Sequence, residues 1–139
     1  MARVPAALRR QVIRAAQGRC AYCRSPERLM GVEFEVDHIQ PRRAGGVNAP
    51  DNLCLSCPTC NRCKAARIYA PDPETGRLVR LFHPGRDRWA EHFAWNKSVT
   101  QIIGLTPTGR ATAAALRFNR EVMVALRRYW RALGVKLED

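Results

Sequence analysis

Six cysteines, an Asp-His pair and two asparagines are the residues here whose types and spacing could do chemistry. Cys20 and Cys23 form one Cys-x-x-Cys pair and Cys57 and Cys60 another, with 33 residues between them. Two such knuckles place four thiolates around one tetrahedral ion, which points to structural Zn²⁺. The intervening segment is longer than the roughly 15–20 residues of short zinc patterns, so something folded must fit inside it. Cys54 and Cys63 extend the second pair into a ladder at three-residue intervals. The ladder keeps an iron–sulfur or redox protein open as a rival, although Cys20 and Cys23 would then have no role in a cluster. Cys54 reads as a buried thiol on a short strand and Cys63 as a helix-surface or packing thiol.

Between and beside the knuckles stand Glu35, Asp37, His38, Asn52, Asn61 and Lys64. The carboxylate of Asp37 and the amide oxygen of Asn61 are hard oxygen ligands suited to Mg²⁺ or Mn²⁺. His38, neutral near pH 7, is a side chain able to take a proton from water. Adjacent residues of an extended strand point to opposite sides, so Asp37 and His38 reach one phosphate only if the strand end bends. Pro41 and the Gly45-Gly46 pair suggest such a bend. Taken singly, each residue also has a plain structural reading: a solvent-exposed His, a turn at Asn52, a helix cap at Asn61.

The sequence also supplies elements to hold these groups. Residues 5–16 have apolar positions at helical spacing, and Gly18 is placed to end that helix. Residues 32–38 alternate as a half-buried strand. Residues 39–51 are loop by composition, 53–56 form a short second strand, and Pro58 opens a helix through Asn61 and Lys64. After Arg67 the character changes. Residues 71–76 are a turn cluster implying a β-hairpin, 93–95 and 101–103 a second extended pair. Thr108 is expected to cap a short helix and Asn119 a longer one ending at Gly134. Val122, Leu126, Tyr129, Trp130 and Leu133 make an apolar stripe on that last helix.

The run CAYC…EVDHIQPRRAGG…DNLCLSCPTCNRCK resembles the HNH endonucleases, the ββα-metal or His-Me finger nucleases, over about residues 18–67. The resemblance implies an α+β fold: a small ββα-metal core on a four-cysteine zinc scaffold, with an N-terminal helix and a C-terminal β-hairpin and helical extension. It implies that His38 is the general base and that Asn52 holds the loop so that the imidazole stays aimed. Asn61 replaces the last His, giving an H-N-N variant in which Asp37 and Asn61 bind the catalytic Mg²⁺ or Mn²⁺. Some relatives carry another metal-binding His one turn later, where this chain has Ala65. The implied reaction hydrolyses phosphodiesters to 5′-phosphate and 3′-hydroxyl ends. Glu35 and Lys64 are supporting residues, either paired with each other or with Lys64 on a phosphate. Arg42, Arg43, Arg62, Lys64 and Arg67 lie beside the centre as backbone-phosphate contacts.

Composition agrees with a polyanionic partner. Twenty-four Lys and Arg against twelve Asp and Glu give a net charge of +12, and neutralised phosphates release counterions. No stretch reaches the roughly 20 apolar residues that cross a bilayer, and the arginine-broken N-terminus does not read as a signal peptide. The expectations are a cytoplasmic metal-dependent endonuclease on double-stranded DNA, monomeric or homodimeric, with module 1–67 and extension 68–139. The rival from another class is a non-catalytic zinc-dependent DNA- or RNA-binding module. His83 and His92 are not paired at ligand spacing, and Trp89, Phe93 and Trp95 read as core.

Overall fold

A computed structural model describes residues 3–138. They form two compact units: the chain through Ile68 together with His83–Asp87, and Tyr69–Phe82 together with the chain from Arg88. The architecture is α+β with three two-stranded antiparallel sheets, as expected.

In the first unit, α1 (Ala6–Ala16) ends at Gln17, whose φ of +53° leads into Gly18 at +75°. Val12 is the side chain that α1 buries. The chain then turns through the first knuckle, where the Arg24 N–H donates to Cys20 O at 3.0 Å and the Ala21 N–H to Leu55 O at 2.8 Å. The second bond ties the knuckle to a strand far along the sequence. β1 (Glu35–His38) pairs with β2 (Leu53–Ser56) in the register Glu35↔Ser56, Asp37↔Cys54, His38↔Leu53. The strand is shorter than the alternation over 32–38 suggested, and Phe34 before it is buried. α2 (Pro58–Lys64) follows directly, with Pro58 at its first position and Cys57 as N-cap. β1, β2 and α2 thus make a ββα unit closed onto the first knuckle.

The second unit contains β3 (Tyr69–Pro71) paired with β4 (Leu78–Arg80), α3 (Trp89–His92), and β5 (Phe93–Trp95) paired with β6 (Ile102–Gly104). α4 (Pro107–Ala115) and α5 (Glu121–Ala132) complete it. Phe82, Trp89, Phe93 and Phe118 pack ring against ring, with centroids 5.1–5.5 Å apart; Phe93 is core as expected, whereas Trp89 and Trp95 are half-buried at its margin. The caps differ from expectation. Thr106, not Thr108, caps α4 by accepting the Gly109 N–H at 3.0 Å. Asn119 does not cap α5: its amide bonds both the N–H and the carbonyl of Ile102 at 2.8 Å, standing in for a neighbouring strand. Of the expected stripe, α5 fully buries only Trp130. Met123, Arg127 and Trp130 point inward, while Val122, Tyr129 and Leu133 are exposed.

Candidate active site and metal centre

The four knuckle cysteines are all buried, and their sulfurs lie within 4.8 Å of one another. A tetrahedron with metal–sulfur bonds of about 2.3 Å has edges of about 3.8 Å; Cys23 and Cys57 sulfurs are 3.9 Å apart. Backbone N–H groups aim at the sulfurs, Cys57 N–H at Cys20 Sγ (3.3 Å) and Cys60 N–H at Cys57 Sγ (3.4 Å). Such donors favour thiolate over thiol. Burial raises Cys20 well above an ordinary thiol, whereas hydrogen bonding from Cys20 holds Cys23 well below one and also lowers Cys57. The donor set therefore fits a structural metal ion. The ladder cysteines stand apart from it. Cys54 sits on β2 opposite Asp37, and burial pushes its thiol up to about 12; Cys63 is half-buried. Among the described residues this is the sole His, Cys or carboxylate cluster of three or more arranged to hold a metal. His83 is buried, accepting the Gly85 N–H on Nδ1, and His92 Nδ1 lies 2.6 Å from Thr106 Oγ1.

Strand alternation sends Glu35 and Asp37 to the same face of β1, and α2 supplies partners to both. Asn61 Nδ2 donates to Glu35 Oε1 at 3.1 Å. That bond fixes the amide and leaves Oδ1 as the atom free to meet a cation. The Lys64 ammonium lies 3.8 Å from Asp37 Oδ2 and donates to the His38 carbonyl at 3.3 Å. Asp37 Oδ2 is buried without a hydrogen-bond partner among the described residues. Burial pushes the Asp37 carboxyl up, while the charges of Lys64 and His38 pull it down. A buried carboxylate oxygen on β1 without a hydrogen-bond partner and an amide oxygen on α2, whose amide is tied to the same strand, are ligand types that suit a hard divalent cation.

The loop between the strands is shaped by Asn52, which is itself buried. Its Oδ1 accepts the Gln40 N–H at 2.9 Å, and its Nδ2 donates to Gln40 O at 3.1 Å and Val47 O at 3.0 Å. One side chain thus closes both ends of the segment carrying Gly45 and Gly46. At the loop's far end Asn48 Oδ1 lies 2.7 Å from His38 Nε2. Nothing in the sequence singles out Asn48 or Gln40, because a loop asparagine after two glycines reads as a turn former.

The basic residues divide. Arg42, Arg43 and Arg62 are exposed. Arg67 is also exposed, but its guanidinium donates to the Lys64 and Cys63 carbonyls at 3.4 and 2.5 Å, finishing the C-terminus of α2. Lys64 is 2% exposed. Its ammonium faces Asp37 rather than Glu35 or solvent, since burying a cation requires a nearby anion; neither the Glu35 pairing nor an outward phosphate contact describes it.

Residues 20–67, which span both knuckles and the ββα unit, match the family model described as HNH endonuclease. This segment is an HNH-family domain. The Septu protein PtuB of Bacillus mycoides (strain KBAB4) is similar to the chain, 30% identical over 100 residues, covering 54% of this chain and 34% of the relative. The chain thus spans about a third of the length of that curated relative. No solved structure matches the chain. Within the HNH domain the first knuckle, β1, the loop, β2 and α2 occur in one uninterrupted run. The knuckle cysteines, Glu35, Asp37, His38, Asn52, Asn61 and Lys64 all lie inside the matched residues. No helix among the described residues is long and apolar enough to cross a membrane.

Proposed function

We propose that the HNH domain is a metal-dependent endonuclease that hydrolyses phosphodiester bonds of nucleic acid, with double-stranded DNA as substrate. The observation that carries this reading is that β1 bears Asp37, with a buried carboxylate oxygen lacking a hydrogen-bond donor, and ends on the imidazole of His38, while the Asn61 amide on α2 bonds Glu35 of the same strand. A pure binding module has no need of an oriented imidazole beside a donor-poor carboxylate. Zn²⁺ on Cys20, Cys23, Cys57 and Cys60 holds the knuckles together and adds its binding energy to folding.

The chain's own residues divide the work. His38 accepts a proton from water as the water oxygen attacks phosphorus, and the bond from phosphorus to the 3′-oxygen breaks. Asn52 keeps the loop closed behind His38. Asp37 and Asn61 hold Mg²⁺ or Mn²⁺, which when bound supplies positive charge to the phosphate and the departing oxygen. Lys64 balances Asp37 from beneath. Arg42, Arg43 and Arg62 are the exposed cations that meet the nucleic-acid backbone, consistent with the net charge of +12. We place the protein in the cytoplasm, where cysteines stay reduced for zinc, working as a monomer or homodimer.

The test is cleavage of supercoiled plasmid with Mg²⁺, Mn²⁺ or EDTA, alongside His38→Ala. Metal-dependent nicking or linearisation that His38→Ala abolishes supports the reading. A zinc-loaded, folded, DNA-bound protein inert on duplex, branched, single-stranded and RNA substrates would instead make it a zinc-dependent binding module.

A further inference from the structure

We infer that Asn48 is a positioning residue that fixes the proton of neutral His38 on Nε2 and so makes Nδ1 the nitrogen that receives the proton from water. This rests on the nuclease reading for its catalytic consequence, but the tautomer stands on geometry alone. The contact between His38 Nε2 and Asn48 Oδ1 is 2.7 Å, and an amide oxygen only accepts. The amide cannot be turned round without loss, because Asn48 Nδ2 donates to the Arg3 carbonyl at 3.3 Å. Reversing it would set two oxygens against each other at Arg3. Nε2 must therefore be the donor, and Nδ1 keeps the lone pair.

The loop is built to present this oxygen. Asn52 Nδ2 holds Val47 O, the residue before Asn48, and the same side chain holds Gln40, two residues after His38. Asn52 thereby joins the strand end carrying the imidazole to the loop end carrying its acceptor. Gly46 completes the closure: its N–H donates to Pro41 O at 3.0 Å, and a Cβ there would collide with Gln40 O. A base held in the wrong tautomer presents N–H where a lone pair is needed, which is a large defect in other hydrolases that depend on an oriented imidazole.

The experiment uses the full zinc-loaded chain labelled with ¹⁵N-histidine. The chain has three histidines, so the His38 signals are assigned as those missing from His38→Gln. Imidazole ¹⁵N shifts of the neutral ring report which nitrogen carries hydrogen. Wild type is expected to show Nε2–H, Asn48→Leu a mixture of tautomers, and Asn48→Asp, which keeps an acceptor, Nε2–H again. In plasmid cleavage Asn48→Leu is expected to lower kcat about 10- to 100-fold with KM nearly unchanged, and Asn48→Asp to restore most of that loss. Nδ1–H in the wild type, or an unaltered tautomer in folded Asn48→Leu, overturns the inference. So does a kcat loss that Asn48→Asp shares in full while its tautomer is restored. If the protein cleaves nothing, the nuclease reading fails, and the ¹⁵N spectra still decide the positioning claim.

Discussion

The Asn52 side chain pairs with the main chain of Gln40 in both directions, accepting its N–H at 2.9 Å and donating to its carbonyl at 3.1 Å. This is a strand-like pairing supplied by a side chain, and it continues the β1–β2 ladder beyond the Ile39 N–H to Asn52 O bond of 2.9 Å. Asn52→Ala strips the partners from Gln40 N and Gln40 O, while Val47 O keeps the Ala49 N–H at 3.1 Å. We expect a loss of about 1–3 kcal/mol in stability, since groups left unpaired carry their desolvation cost. Cleavage should fall at least about tenfold, because small misplacements of a base are costly. Urea unfolding at fixed zinc concentration and plasmid cleavage measure the two effects.

Neighbouring glycines of the same loop should respond unequally. Gly45 has a φ of +89° and open space where a methyl group would stand, so Gly45→Ala meets backbone strain alone, about 1–2 kcal/mol. At Gly46 a Cβ would collide with Gln40 O and approach Asn52 Nδ2 at 2.9 Å. Gly46→Ala should therefore cost about 3 kcal/mol or more and reduce kcat as well. Equal unfolding midpoints for the two variants would contradict this account of the loop.

Metal removal separates knuckle from ladder. Structural zinc in small domains contributes about 10–16 kcal/mol of apparent binding energy, comparable to or above the whole stability of a typical domain. Chelation, or Cys60→Ser, is expected to unfold the first unit, seen as lost far-ultraviolet dichroism together with lost metal. Cys54→Ala should keep about one equivalent of zinc, because Cys54 stands on β2 outside the four-sulfur cluster. Loss of the metal in Cys54→Ala would require a different ligand set.

What was legible in the sequence follows from how local each signal is. The cysteine pairs could be read because ligand spacing is a property of a few consecutive residues, and the ββα order because Pro58 and the short apolar runs mark their own ends. Long-range partners could not. Lys64 looks like a surface cation until β1 places Asp37 3.8 Å from its ammonium. Arg127 looks like the polar side of α5, yet it is buried. Its guanidinium donates to the Thr100 and Phe118 carbonyls at 2.9 and 2.7 Å and lies 5.6 Å from the Trp95 ring centroid. The inward face of α5 thus centres on Met123, Arg127 and Trp130, of which hydrophobic periodicity picked out only Trp130. Asn48 escapes notice for the same reason: its meaning depends on a histidine ten residues away.

Acid should weaken the second unit through Asp72. This buried carboxylate accepts Arg110 Nε at 3.0 Å and Nη2 at 2.9 Å, the Glu74 N–H at 3.0 Å and the Thr75 hydroxyl at 3.2 Å. The Arg110 hydrogen bonds, with help from Glu74 and Thr75, hold its pKa down from an ordinary 3.8 to about 2. A carboxyl depressed on folding contributes stability that is fully present above its unfolded pKa and is lost as pH falls through the folded one. The wild type should accordingly lose this contribution between about pH 4 and pH 2. Asp72→Asn, which removes the charge and one acceptor at every pH, should melt lower than wild type at pH 7, with the gap narrowing across that window. Thermal melts of both proteins in a pH series follow it directly; a gap that stays constant down to pH 2 would mean that the Arg110 pairing contributes nothing through charge.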